Sequence, residues 1–561
     1  MITKVKDLPY KRATVEELAQ AYGRFEEAVK AATSADQVLQ ARKDFLEGGI
    51  CDFVTASALA QCRFTLDMND EFYKQEQDYY DENGPLASNL MVKMADLMLN
   101  SPYRAELEKA LPATVYLNYD IAKKAHSEAI IADEQEENAL VTEYSQLMSG
   151  IMLVWQGEKK PLSFVRGFLE DQDRSVRAAA AEAIGKGLES VSDQLDKYYD
   201  DLVKVRDRMA KKMGYENYIE LGYYRMGRID YNKEMVEKFR ANVLESIVPA
   251  VKAIKAGVAE KLGIDQIMIY DNDIVSAEGN PRPMGDKEQI FAAARQMYNE
   301  MNPEIGAFME AMQEAEAFDV EPRIGKWGGG YCTNFARFKQ PFILANFNGS
   351  SGDIDVMTHE FGHAWAMHKA NYQGDPECDV GSMETAETHS MSMEFFSWPW
   401  MHLFFADAKA YCRKHLSDAL TFIPYGVIVD EYQHRVYAQP DMTPAERNQV
   451  WLELEGKYRP YLSYQGIPYL EKGTRWQYQM HIYESPFYYI DYCLAQVVAL
   501  EFLAASMDNY EDALARYMEH AARGGTYAFN TLVKLAGLAS PFEEGALAKV
   551  IDNIMAKLNT L

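Results

Sequence analysis

The sequence predicts a mainly α fold of more than one lobe, with a small β-sheet beside one particular helix. Three observations predict it. Apolar residues recur at three- and four-residue spacings through most of the chain, with Glu, Lys and Arg between them. One interval, 318–347, breaks that rhythm into short β-type runs around a glycine cluster. A length of 561 residues exceeds what one hydrophobic core ordinarily supports.

The elements follow in chain order. Thr14 with Glu17 three residues on forms a capping box that opens an amphipathic helix. Helical spacing continues near 35–78, 86–110, 114–150 and 173–225, with a long charged helix over Ser190–Met213. Ile151–Trp155 and Leu162–Val165, separated by Gln-Gly-Glu-Lys-Lys-Pro, read as a small hairpin. Phe318–Pro322, Gly328–Cys332 and Pro341–Phe347 read as short strands joined by a glycine-rich loop. The turn Asn348–Asp353 then caps a helix running from about Asp353 to Asn371.

Composition removes several function classes. With 85 acidic and 57 basic residues the formal charge is −28, which disfavours nucleic acid and anionic membrane surfaces as partners. The apolar fraction of 48% and charged fraction of 25% are those of a globular protein. The first residues carry no signal-type apolar core, and the apolar runs at 395–405 and 492–500 are shorter than the ~20 residues of a spanning helix. Six cysteines without a CxxC pair read as reduced thiols. The expected compartment is cytoplasmic, and the Asn348-Gly349-Ser350 sequon is read as accidental there.

The chemistry is concentrated in His359-Glu360-Phe361-Gly362-His363, an H-E-x-x-H motif. On a helix the two histidines lie one turn apart on one face, as two ligands of a tetrahedral zinc require. Glu360, offset by about 100°, reaches a water on the metal as general base. With 10 histidines in the chain, chance produces such a pattern fewer than about 0.03 times. A catalytic zinc needs a third protein ligand and an open position. A third histidine at metzincin spacing is absent, since Lys369 stands there, and His368 falls on the opposite helix face. Downstream, Glu384, Glu387 and Glu394 lie in a run of helical spacing. Glu387 and Glu394 share a face two turns apart, so one can bind metal while the other orients a ligand histidine.

These blocks together resemble the M3 family of zinc oligopeptidases, in its oligoendopeptidase F and Pz-peptidase branch. The resemblance rests on His359–His368, on Glu387-Thr-His-Ser-Met-Ser-Met-Glu394, on Pro341–Asp355, on His481–Tyr492, and on Gly524-Gly525 with Leu535-Ala-Gly537. It extends from about residue 200 to the end and fits the N-terminal helices more loosely. It implies a two-lobed helical clamp around a deep channel with a zincin-like catalytic core, divided here as 1–190 and 191–561. It implies one zinc per chain on His359, His363 and Glu387, with Glu394 behind a ligand histidine and Glu384 as the competitor for the third position.

Residues 479–492 hold His481 and four tyrosines. A Tyr stripe at helical spacing is ordinarily core, but the family uses such a segment to stabilise the oxyanion. His481 and Tyr492 are the first candidates, then Tyr489 and Tyr488. Gly328–Tyr331 lacks phosphate-loop spacing; Gly329, Gly330 and Tyr331 are candidates to bind an extended peptide, with Pro341–Phe347 as the edge strand. Gly524–Tyr527 is a candidate flexible loop over the cleft.

The expected function is zinc-dependent endopeptidase action on short oligopeptides, with Glu360 activating the water. Two rivals are a catalytically weak peptide-binding helical protein and a zinc hydrolase of non-peptide amides. An intact Glu360 argues against the first, since a binder needs no base beside the metal.

Overall fold

Helical periodicity becomes helix along nearly the whole chain in the computed structural model, which describes residues 3–372, 374–559 and 561. The first long helix, Val15–Ala31, begins as its capping box requires. Thr14 Oγ1 accepts from the Glu17 N–H and the Glu17 carboxylate accepts from the Thr14 N–H, each at 3.1 Å. The charged helix expected over 190–213 spans Ser192–Lys212.

The hairpin forms with a tighter turn than its sequence suggested. Met152–Trp155 pairs antiparallel with Glu158–Pro161, and Leu162–Arg166 is a short helix rather than the returning strand. The reason is the turn. Gln156 and Gly157 both have positive φ, 50° and 85°, the left-handed pair that closes a two-residue hairpin with the natural twist.

Three strands form the sheet beside the H-E-x-x-H helix, in the order Phe318–Asp319, Gln340–Leu344, Tyr331–Phe335. This corrects one expectation. The 340–344 strand is central, with Phe318–Asp319 parallel on one side and Tyr331–Phe335 antiparallel on the other. Its residues 341–344 are all buried, because neighbours cover both edges. The edges belong to Phe318–Asp319 and Tyr331–Phe335.

Two hydrophobic cores organise the helices. One is drawn from residues 18–119 and admits Cys378 from outside that range. The other runs from Val5 to Ile554 and contains the sheet and the H-E-x-x-H helix. A polar clasp joins them: Arg42 binds Asp375 through two hydrogen bonds of 2.7 and 2.8 Å and also reaches Glu377 and the Tyr119 hydroxyl. Of Gly524–Tyr527, expected as a flexible loop over the cleft, Gly524–Thr526 form a single turn with both glycines buried, and Tyr527 is exposed. Gly525 donates to the Asp379 carbonyl at 2.7 Å and accepts from Thr114 Oγ1 at 2.6 Å.

The apolar run at 492–500 lies within a 20-residue helix, Tyr489–Asp508, the single described helix long and apolar enough to cross a membrane. Residues 493–500 are buried, and it packs against Met383–Phe396 and Ala408–Ala438, as a core helix does. The six cysteines are free thiols.

Candidate active site

The H-E-x-x-H motif sits in mid-helix within Gly352–Ala370. In the first turn of that helix, Asp353 accepts from the Asn348 and Gly349 N–H groups, both at 2.8 Å, which closes the turn leading out of the central strand. Ile354, Met357, Phe361 and Trp365 bury one side; Phe361 stacks on Tyr298 with ring centroids 4.0 Å apart. His368 packs against Phe308 at 4.4 Å, away from His359 and His363. That leaves His359 and His363 on a second side, their rings 5.0 Å apart.

Helix Met383–Phe396 supplies the carboxylates. Gly362 lets it approach: a Cβ at that position would stand 2.6 Å from Ser390 Cα and 2.7 Å from the His389 carbonyl oxygen. As a result Glu387 Oε2 lies 3.3 Å from His359 Nε2 and 3.4 Å from His363 Nε2. These three residues form the one described group whose donor atoms converge closely enough to hold a metal. The two imidazoles hold the Glu387 carboxyl well below the ordinary carboxylate range despite its burial. Glu384, the rival, turns away to Ser382 and Tyr231, and burial beside Asp491 pushes its carboxyl up to about 8.

Glu394 stands behind the group. Its Oε1 accepts from His359 Nδ1 at 2.7 Å and its Oε2 from His415 Nε2 at 2.7 Å, while His415 Nδ1 accepts from Trp398 Nε1 at 2.9 Å. Glu360 is buried, and its Oε2 has no hydrogen-bond partner. Burial pushes its carboxyl above the usual range. On its other side lies Gly330, where a Cβ would come within 3.8 Å of Glu360 Oε1. Gly329 and Tyr331 are held in the fold: the Gly329 carbonyl accepts from Asn346 Nδ2 at 2.8 Å, and the Tyr331 hydroxyl bonds Thr65 Oγ1 at 2.6 Å.

The tyrosine-rich segment divides. Phe487, at φ 67°, interrupts the helical path, and Tyr489 begins the long helix. Tyr488 donates its hydroxyl to Glu387 Oε1, and its ring lies 4.8 Å from that of Tyr492. His481 is beside both, at ring distances of 6.0 and 5.7 Å. Its Nδ1 accepts from Gln479 Nε2 at 2.8 Å, and Gln479 Oε1 in turn accepts from Tyr425 at 2.6 Å. Nε2 therefore carries the ring proton. Burial pushes the His481 pKa down to about 4. Tyr489 faces His481 on one side and Phe422 and Tyr425 on the other. Tyr483 is core, stacked on Tyr144 at 4.0 Å.

Sequence reasoning passed over Gly362, His415, Trp398, Gln479 and Tyr425. Gly362 carried a signal, being a glycine in the middle of a helix. His415, Trp398 and Tyr425 reach the site across the fold and have no local signature, while Gln479 lies two residues before His481, inside the segment already singled out.

The chain is similar to proteins of known family along its whole length. The model of the peptidase M3 N-terminal domain matches residues 5–126, and that of peptidase family M3 matches 168–550. A solved structure described as Pz peptidase A with inhibitor 2 is 42% identical, with TM-score 0.97, covering 100% of this chain and 99% of that one. A structure described as an oligoendopeptidase F is 41% identical, with the same TM-score and coverage. Oligopeptidase PepF of Bacillus subtilis (strain 168) is 21% identical over 412 residues; the match spans 70% of this chain and 59% of that protein's length. A family model covering most of the chain, together with whole-length relatives above 40% identity, decides the assignment: the protein belongs to peptidase family M3 and is a metalloendopeptidase.

Proposed function

We propose that the protein hydrolyses internal peptide bonds of short oligopeptides with one zinc ion held by His359, His363 and Glu387, and that it does so in the cytoplasm. The observation that carries the reading is the convergence of two imidazole Nε2 atoms on one carboxylate oxygen, beside a buried carboxylate with an unpartnered oxygen. The donor set fits zinc: two neutral nitrogens and one carboxylate, all on rigid helices. When bound, the ion supplies Lewis acidity toward water and toward the scissile carbonyl.

The remaining steps belong to side chains of this chain. Glu360 takes a proton from the attacking water and passes it to the departing amine. The Tyr488 and Tyr492 hydroxyls and His481 Nε2–H are neutral donors beside the ligand Glu387, suited to a carbonyl oxygen that acquires negative charge. Gly330, with no side chain over Glu360, leaves the water and the peptide room to approach.

The test is Glu360→Gln, assayed on a quenched fluorescent peptide with parallel metal analysis. Near-stoichiometric zinc with cleavage reduced by about 10³-fold or more is the expected result. Wild-type turnover in that variant would refute the mechanism. Cleavage of intact casein at the rate of a short peptide would refute the oligopeptide limit.

A further inference from the structure

A cavity of about 360 Å³ is lined by Arg166, Arg475, Tyr478, Tyr425 and Phe422, with apolar side chains such as Leu470 beside them. The Tyr489 ring separates it from His481. Tyr489 lies 4.9 Å from the His481 ring and 5.8 Å from the Tyr425 ring, so two or three residues of extended chain, at about 3.3 Å each, cover the path between them.

The charges on its wall do not cancel. Arg459 is taken by Glu455, with bonds of 2.7 Å and shorter, and Asp418 by Lys414 at 2.6 Å. Arg166 and Arg475 make no ion pair or side-chain hydrogen bond to a carboxylate among the described residues. Asp273 is the lining carboxylate whose field reaches Arg166, and it accepts from Asn272 Nδ2 at 2.9 Å. The groups acting most strongly on Arg475 are tyrosines and Arg459, and its Nη1 is inaccessible to solvent and without a partner among the described residues. Both guanidiniums lie on the Tyr478 ring, at 6.0 and 4.9 Å from its centroid. Two cations brought to one ring, one of them with a buried unpaired N–H, cost free energy unless an anion joins them. The same cavity offers apolar surface for one side chain.

We propose that this cavity is a substrate subsite in which Arg166 and Arg475 bind the terminal carboxylate of the peptide, its last side chain resting on the apolar wall. The proposal rests on the peptidase reading and sharpens it. A carboxylate held at a fixed distance from His481 makes the enzyme count residues from the C-terminal end. The bond it cleaves lies two to four residues from that end, and the fragment carrying the carboxylate leaves as the amine product. Guanidinium suits the task, because its fork of donors matches a carboxylate.

The experiment uses a series of peptides of one sequence, extended residue by residue at the N-terminus, each as free acid and as C-terminal amide. Wild type, Arg475→Gln and Arg166→Gln are compared for kcat/KM, with the cleaved bond identified by mass spectrometry. Wild type is expected to prefer the acid by about 10- to 100-fold and to keep the bond fixed relative to the C-terminus. Both variants should bring the acid-to-amide ratio toward one and spread the cleavage positions. Arg475→Lys should restore part of the preference, which a merely structural role would not require. Arg166 is exposed to the cavity, so its variant remains informative if Arg475→Gln folds poorly.

An equal wild-type rate on acid and amide, or a preference that survives in both variants, overturns the proposal. An acidic side chain as the true ligand would appear as retained preference in amidated peptides ending in Glu, and would overturn it also. Absence of cleavage in every peptide would instead refute the peptidase reading. Calorimetric binding of the acid and amide peptides to the same proteins then decides the subsite separately.

Discussion

His359 and Glu394 meet through a 2.7 Å hydrogen bond from imidazole Nδ1 to carboxylate Oε1. The bond fixes the ring's tautomer, because a carboxylate accepts only and Nδ1 must carry the proton. The Nε2 lone pair is then committed to the side where His363 and Glu387 converge. Glu394 is itself anchored at its other oxygen by His415, whose remaining nitrogen is filled by Trp398. Glu394→Gln keeps the shape but weakens the acceptor and frees the tautomer. Zinc affinity should fall by about 10- to 100-fold, read by competition with a chelator, and excess zinc should restore much of the activity. Unchanged affinity would remove Glu394 from the metal site.

Gly362 separates two opposing rules. By helix propensity alone, Gly362→Ala should stabilise a helix interior by about 0.5–1 kcal/mol. The added Cβ would lie 2.6 Å from Ser390 Cα, a backbone atom that cannot swing aside. The clash should win, costing about 1–3 kcal/mol and pushing Glu387 away from the histidines. The expected outcome is a lower Tm together with weaker zinc binding. A raised Tm would mean that the two helices do not touch at this turn.

Much of this was legible in the sequence because it was local. His359 and His363 lie on one face by helical geometry alone, and Glu387 and Glu394 share another, so each pair could be placed before any tertiary structure. What joins the two helices was not legible. The contact depends on Gly362, and the relay behind Glu394 depends on His415, 21 residues further along the chain. The Arg166–Arg475 cavity joins residues 309 positions apart, each unremarkable in its own segment. The edge-strand expectation failed for a related reason. Pro341–Phe347 looks like any short apolar strand, and only the parallel partner Phe318–Asp319, a two-residue pairing, makes it central.

The donors beside Glu387 differ in kind. Tyr488 bonds Glu387 itself, while His481 is held by the Gln479–Tyr425 chain. Tyr492→Phe and His481→Phe each remove a neutral donor from the place where the proposed mechanism puts developing carbonyl charge. Each should lower kcat by about 10²- to 10³-fold with KM changing less than fivefold. Gln479→Leu leaves His481 in place but releases its tautomer, and should lower kcat by a smaller factor. Steady-state kinetics with zinc content measured in parallel separates these effects from metal loss. A change confined to KM would assign these side chains to ground-state binding.

Glu501 gives the fold a pH dependence of predictable sign. Burial pushes its carboxyl up to about 7, although it accepts from the Ala539 N–H at 2.7 Å. In the unfolded chain the same group titrates near the ordinary glutamate value of about 4.3. The folded state therefore holds the proton more tightly. Its contribution is fully present below about pH 4, fades as pH rises toward 7, and is gone above that. A shift of this size, discounted for partial exposure, corresponds to a loss on the order of 2 kcal/mol across the window. Glu501→Gln keeps an acceptor for Ala539 without the charge, so it should raise stability at pH 8 and leave it nearly unchanged at pH 5. Urea unfolding at the two pH values measures this directly. An equal effect at both would show that the Glu501 carboxyl ionises in the folded protein as readily as in the unfolded chain.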